Sequence, residues 1–204
     1  IFRLSINNFR GIKEAVIFFN QHTVLIGANN VGKTSVIEAL TLLFGRDRLI
    51  KNLTEHDFYG AIPTAKDRFT IKAVLTDFAE NDPDANFDWF RKGRAIPKWL
   101  NPTDNSLNFE QNDQSWHLCA EIGISGRFDI DDLTVETIRY FVDSDLDIDP
   151  FDENSFIENF PMSLLKESGF FLVPASRTWD KMLSFSSELF RRVVLTVGSV
   201  PAQA

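Results

Sequence analysis

The run Gly27-Ala28-Asn29-Asn30-Val31-Gly32-Lys33-Thr34 carries the pattern G-x-x-x-x-G-K-[ST]. Glycines at its two ends permit a tight curl and an approach of backbone to ligand that a Cβ would block. The N–H groups of such a loop, backed by the positive end of a following helix, favour a phosphate. Lys33 would bring a point charge to the β- and γ-phosphates, and Thr34 a hydroxyl to Mg²⁺. Lys33 is therefore the candidate catalytic residue and Thr34 the candidate metal ligand. Gly27, Ala28, Asn29, Asn30, Val31, Gly32, Lys33, Thr34 and Ser35 make up the expected binding set for a nucleotide with Mg²⁺. A structural glycine turn could show the same letters, so the flanking elements decide.

Those elements are the ones a phosphate loop needs. Residues 23–26 form a short β-branched apolar run that reads as a buried strand entering the loop. From Lys33 to Phe44 the period changes: Val36, Ile37, Leu40, Leu43 and Phe44 fall at helical spacing, and Gly45 is placed to end the helix. Upstream, Phe2, Leu4 and Ile6 alternate with Arg3, Ser5 and Asn7, which predicts a half-buried strand. Arg10-Gly11 offers a turn, and residues 12–19 return as the second arm of a hairpin. Further strands are expected at 69–78, 116–124, 137–142 and 169–173, the last stopped by Pro174. The stretch around Pro97 and Pro102 reads as an irregular connection, and residues 179–193 as an amphipathic helix. There is no internal repeat and no low-complexity tract.

Composition narrows the class. The 204 residues are 44% hydrophobic and 25% charged, which argues against intrinsic disorder. The net charge of −8 is not that of a basic nucleic-acid module. It is also unevenly spread: residues 1–72 carry ten basic and six acidic side chains, whereas residues 129–160 carry one and eleven. That pattern fits a phosphate-binding core with an acidic peripheral insertion, and equally a solvated acidic loop. A single cysteine excludes an internal disulfide framework and fits a reducing, cytoplasmic setting. The apolar runs are too short to span a bilayer, and no basic-then-apolar leader is visible. Asp143, Asp145, Asp147 and Asp149 alternate, but Ile148 and Asn154 occupy the Gly and Glu positions of a calcium loop, which rejects that reading. His22, His56 and His117 show no ligand spacing with Cys119.

Leu4-Ser5-Ile6-Asn7-Asn8-Phe9-Arg10-Gly11-Ile12, the loop at 24–35 and Glu38-Ala39-Leu40 together resemble the start of an SMC/RecF-type ATPase head. Within that group the chain is similar to the OLD (overcoming lysogenization defect) family, ATP-dependent nucleases with an N-terminal ABC-type ATPase and a C-terminal Toprim nuclease. His56-Asp57-Phe58, the strand ending in Val74-Leu75-Thr76-Asp77-Phe78, and Leu172-Val173-Pro174-Ala175-Ser176-Arg177 look like that family too. The first 45 residues match closely, the remainder mostly in the order of elements. The resemblance implies an α/β P-loop NTPase fold: an ABC/SMC-head-like lobe with an N-terminal antiparallel hairpin, a mixed sheet and a P-loop helix. It also carries over Arg10 as a second phosphate-contacting cation, the alternative being an exposed turn arginine. Asn29 and Asn30 would donate to phosphate, hold a partner head, or simply tolerate the loop geometry.

An ABC-type head also needs a Gln loop, a signature loop, a Walker B Asp-Glu pair and a switch His. The runs 71–77 and 138–143 imitate Walker B, but Phe78 and Ser144 stand where Glu is required. Gln111 and Gln114 are the nearest Gln-loop alternatives, and the serines at 183–187 lack the glycines of a signature. The expectation is that 1–204 forms the N-terminal lobe of a longer protein, with core segments at 1–80 and 165–204 around an irregular acidic region at about 81–160. The rest of the head and a Toprim domain would lie elsewhere. In the longer protein, ATP binding and homodimerisation through the heads would regulate DNA cleavage in phage defence or DNA processing, with no membrane partner. The alternatives are another SMC/RecF-type ATPase in DNA repair, an ABC transporter subunit, or a self-contained P-loop kinase. A GTPase would need an N-K-x-D motif, and none occurs.

Overall fold

Alternating apolar residues build the first strands of the computed structural model. It describes residues 1–45, 53–143, 148–153, 155, 157–167, 170 and 172. Strand β1 (Arg3–Phe9) buries Leu4, Ile6 and Phe9. It turns through Arg10-Gly11 into β2 (Ile12–Phe18), with Phe9 opposite Ile12. On its other edge β1 pairs with β3 (Arg68–Leu75), and β3 pairs with the thirteen-residue β6 (His117–Asp129). Two elements then share the far edge of β6. The short β4 (Lys98–Leu100), itself paired with β5 (Leu107–Asn108), takes its beginning, and β7 (Thr134–Phe141) takes the rest. Every strand pairing among the described residues is antiparallel, so the parallel component of the expected mixed sheet is not among them.

The P-loop helix is α1 (Lys33–Phe44), ended by Gly45, whose N–H donates to the Thr41 carbonyl at 2.7 Å. It packs on the sheet against β1, β3 and β6. Its buried face is Val36, Ala39, Leu42, Leu43 and Phe44. Ile37, expected on that face, is 45% exposed. Arg139 of β7 donates to the carbonyls of Leu42 (2.9 Å) and Gly45 (2.8 Å), which places a cation at the negative end of the helix. Under the helix the core is aromatic. Phe69 meets Phe9 and Phe58 edge-on at centroid distances of 5.3 and 5.2 Å, and Phe58 meets Phe128 at 6.2 Å. The short helices α2 (Phe87–Phe90) and α3 (Met162–Glu167) lie outside this centre.

Two regions differ from the sequence expectation. Residues 81–160, expected as an irregular acidic region with strands at 116–124 and 137–142, supply β4 to β7: the two expected strands appear as β6 and β7, and β6 is buried along nearly its whole length. Conversely, residues 23–26 form no strand, with Val24 78% and Ile26 90% exposed. An apolar β-branched run signals a preference for burial, but burial as a strand requires a partner ladder, and no described strand pairs with this one. The elements described here belong to the unit Ile1–Ser168, and a second unit comprises Gly169–Ala204. The strand expected at 169–173, the Pro174–Arg177 stretch, the helix at 179–193, and Asp145 and Asp147 lie outside the described residues, Phe170 and Leu172 excepted.

Candidate nucleotide-binding site

The loop at 27–34 adopts the backbone its two glycines allow. Gly32, at the N-cap of α1, has φ 92° and ψ 4°, in the left-handed region that favours glycine, and Asn30 sits there too at φ 66°. A Cβ on Gly32 would stand 3.3 Å from Cγ1 of Ile12, and one on Gly27 would stand 2.9 Å from Cγ2 of Val31. No side chain caps α1. Its first regular bond runs from the Val36 N–H to the Gly32 carbonyl at 3.0 Å, which leaves the N–H groups of Lys33, Thr34 and Ser35 outside the helical ladder. Ala28, Asn29, Asn30, Val31 and Thr34 are exposed. The Lys33 ammonium folds back over the loop, donating to the carbonyls of Gly27 (2.7 Å) and Ala28 (2.5 Å). Backbone donors outside the helical ladder, a cation held above the loop and an exposed hydroxyl converge at one helix terminus. Those residues fit a nucleoside triphosphate.

Arg10 stands beside this loop, but its guanidinium is engaged. It donates through Nε to Asp57 at 2.7 Å and through Nη1 to Glu38 of α1. Burial alone would lower its pKa; the carboxylates of Asp57 and Glu38 outweigh that and hold it above its ordinary value. Asp57 is 4% exposed and also closes a capping box, accepting from the Thr54 N–H at 2.8 Å. The Asp57 carbonyl takes the Arg10 N–H at 2.9 Å. The β1–β2 turn, the 3₁₀ turn Glu55–Asp57 and the P-loop helix are thus joined through one arginine. The partners lie 47 and 28 residues away in sequence, so no local spacing announces the link.

A cavity of about 590 Å³ opens beside the loop, lined by Gly32 and Lys33 together with Gly11, Ile12, Lys13 and Tyr59, among others. A chain with this loop and fold falls within a defined group: the family model "AAA ATPase domain" matches residues 1–177. The chain belongs to that family. This AAA ATPase domain is accordingly a P-loop NTPase, a class that binds ATP. It is also 39% identical over 81 residues to the uncharacterized protein YbjD of Escherichia coli (strain K12), a match covering 40% of this chain and 15% of that protein.

The other residues considered from sequence lie apart from the loop. Asp77 is exposed, in the left-handed region at φ 66°. Asp143 accepts the Ile96 N–H at 3.0 Å, and burial pushes its carboxyl above the usual range. Gln111 and Gln114 are exposed between β5 and β6. None of the four lines the cavity at the P-loop. Among the described residues no group of three His, Cys, Asp or Glu side chains could hold a metal ion, and no helix is long and apolar enough to cross a membrane.

Proposed function

We propose that this chain is the ATP-binding lobe of an SMC/RecF-type ATPase head within a longer, OLD-like ATP-dependent nuclease. The observation that carries the nucleotide part is the loop itself: left-handed Gly32 at an uncapped helix start, with the Lys33 ammonium over the loop carbonyls. The backbone N–H groups of 27–35 bind the β-phosphate, and Lys33 exchanges its two carbonyl acceptors for phosphate oxygens. Thr34 would offer its hydroxyl to Mg²⁺, which would help neutralise the phosphate charge. ATP with Mg²⁺ supplies the transferable phosphoryl group. This chain's residues hold and orient it, and neutralise its charge at the Lys33 Nζ.

The finer reading rests on the resemblance of 4–12, 24–35 and 38–40 to such heads. Two features support it: the β1–β2 hairpin strapped to the P-loop helix through Arg10, and a relative of which the match covers only 15%. In that reading Arg10 approaches phosphate from the hairpin, and a partner head and a Toprim domain complete hydrolysis and DNA cleavage. Residues 129–160 carry a net −10 and would repel a phosphate backbone, so DNA is held by other surfaces of the longer protein. The test is steady-state phosphate release from purified 1–204 beside the longer protein. Binding of ATP with turnover near background by 1–204, and turnover by the longer protein, is expected. Equal turnover by both would make 1–204 a complete ATPase and overturn the lobe reading.

A further inference from the structure

We infer that Tyr59 forms the stacking wall of a nucleobase subsite in the cavity that opens at the P-loop. The inference rests on the nucleotide-binding reading above and adds a residue outside the phosphate loop. Tyr59 follows Phe58, which is 2% exposed and packed between Phe69 and Phe128. A bridge between Phe9 and Phe58 and the Tyr59 N–H donating to the Asn8 carbonyl at 2.9 Å fix its backbone to the end of β1. On the other side the Ala61 N–H closes a turn onto the Phe58 carbonyl at 3.1 Å, with Gly60 at φ 83°. The main chain at Tyr59 is thus held on both sides, yet the residue is 49% exposed. With its main chain held on both sides, the Tyr59 ring has little freedom to lose when a flat ligand covers it.

What it shares space with identifies the occupant. Tyr59 lines the same cavity as Gly32 and Lys33, so a triphosphate seated on the loop has this space beside it for its base. At about 590 Å³ the cavity is within the range of small-molecule sites, and Ile12, Val24, Ile26 and Val31 give it apolar walls. The neighbouring cavity of about 510 Å³, lined by Arg10, His56 and Asp57 among others, includes no residue of 27–35 and so has no phosphate loop at its end. Stacking on an aromatic ring suits any nucleobase, because every base has a π-face.

The experiment compares Mg-ATP with inorganic tripolyphosphate, which has the phosphates and no base. Calorimetric titrations are run on the wild-type chain and on Tyr59→Ala, Tyr59→Leu and Tyr59→Phe, with thermal midpoints recorded for each. Loss of a base stack predicts ATP binding about 10-fold weaker in Tyr59→Ala and Tyr59→Leu, tripolyphosphate binding unchanged, and Tyr59→Phe close to wild type. Unchanged ATP affinity in the Ala and Leu variants would overturn the subsite while leaving the phosphate loop intact. Equal loss of ATP and tripolyphosphate would also overturn it, since the residue would then act on the loop rather than on the base. Wild-type protein that binds neither ligand would overturn the nucleotide-binding reading and this inference with it.

Discussion

Replacing Gly32 by alanine tests whether the loop is built as described. Gly32 holds φ 92°, and a non-glycine residue in the left-handed region costs about 1–2 kcal/mol. The new Cβ would lie 3.3 Å from Cγ1 and 3.5 Å from Cδ1 of Ile12, tighter than ordinary van der Waals contact at the first. Ile12 is 9% exposed at the start of β2 and lines the cavity, so relieving the contact means shifting its side chain toward that space. The penalty surfaces in one of two places. If the loop keeps its shape, the folded state rises by about 1–2 kcal/mol and the thermal midpoint falls by roughly 2–8 °C. If the loop relaxes, stability recovers, but the phosphate cradle is lost and ATP affinity falls by about 5- to 30-fold. Thermal unfolding and Mg-ATP calorimetry on the same preparation read both. Gly11→Ala is the control: Gly11 lines the same cavity, but its φ is not left-handed and its added Cβ meets nothing within 4 Å. Gly32→Ala with both midpoint and affinity unchanged, or Gly11→Ala costing as much, would refute the reasoning.

Three further outcomes follow from the geometry. A Cβ on Gly126 would stand 2.2 Å from Cε1 of Phe69, which is wedged between Phe9 and Phe58, so Gly126→Ala should destabilise the fold by about 1–3 kcal/mol or more in urea unfolding; an unchanged midpoint would contradict that packing. Arg10→Ala leaves the buried Asp57 carboxylate without its guanidinium and should cost about 1–3 kcal/mol of stability. A stability loss with ATP affinity intact would confine Arg10 to the strut, whereas intact stability would refute the strut. Burial, reinforced by the Glu121 carboxylate, pushes the buried Cys119 thiol up to about 12, so at pH 8 thiolate is roughly 10⁴-fold scarcer than thiol. Labelling by a thiol-specific disulfide reagent should wait on unfolding, and rapid labelling of native protein would contradict the burial.

Local signals made the hairpin and the P-loop helix legible. Alternation at Phe2, Leu4 and Ile6 and the Arg10-Gly11 turn place β1 and β2 nearly to the residue, and the change of period with Gly45 places α1 at Lys33–Phe44. The face of that helix was less legible. Ile37 and Leu40 fit the spacing, but the sheet beneath selects Ala39 and Leu42, because close packing on β1, β3 and β6 favours the stripe whose shape fits the strands. Apolarity at 23–26 signalled a wish for burial without naming a partner, and the exposed Val24 and Ile26 are the result. Within 81–160 the apolar runs at 116–124 and 137–142 announced β6 and β7, whereas the short β4 and β5 and the central place of β6 depend on pairing that composition does not carry. In the site, the spacing of Gly27, Gly32, Lys33 and Thr34 was enough to locate the loop. The Arg10–Asp57–Glu38 link and the place of Tyr59 at the cavity depend on tertiary contacts that no short window contains.

In the proposed function the loop at 27–35 binds ATP with Mg²⁺ through Lys33. Calorimetric titration of Mg-ATP into wild-type protein and Lys33→Ala tests it most directly. Removing an ammonium that now sits on the Gly27 and Ala28 carbonyls should weaken binding at least ~10-fold, or roughly 1.4 kcal/mol. Equal affinity of the two proteins for Mg-ATP would contradict the claim.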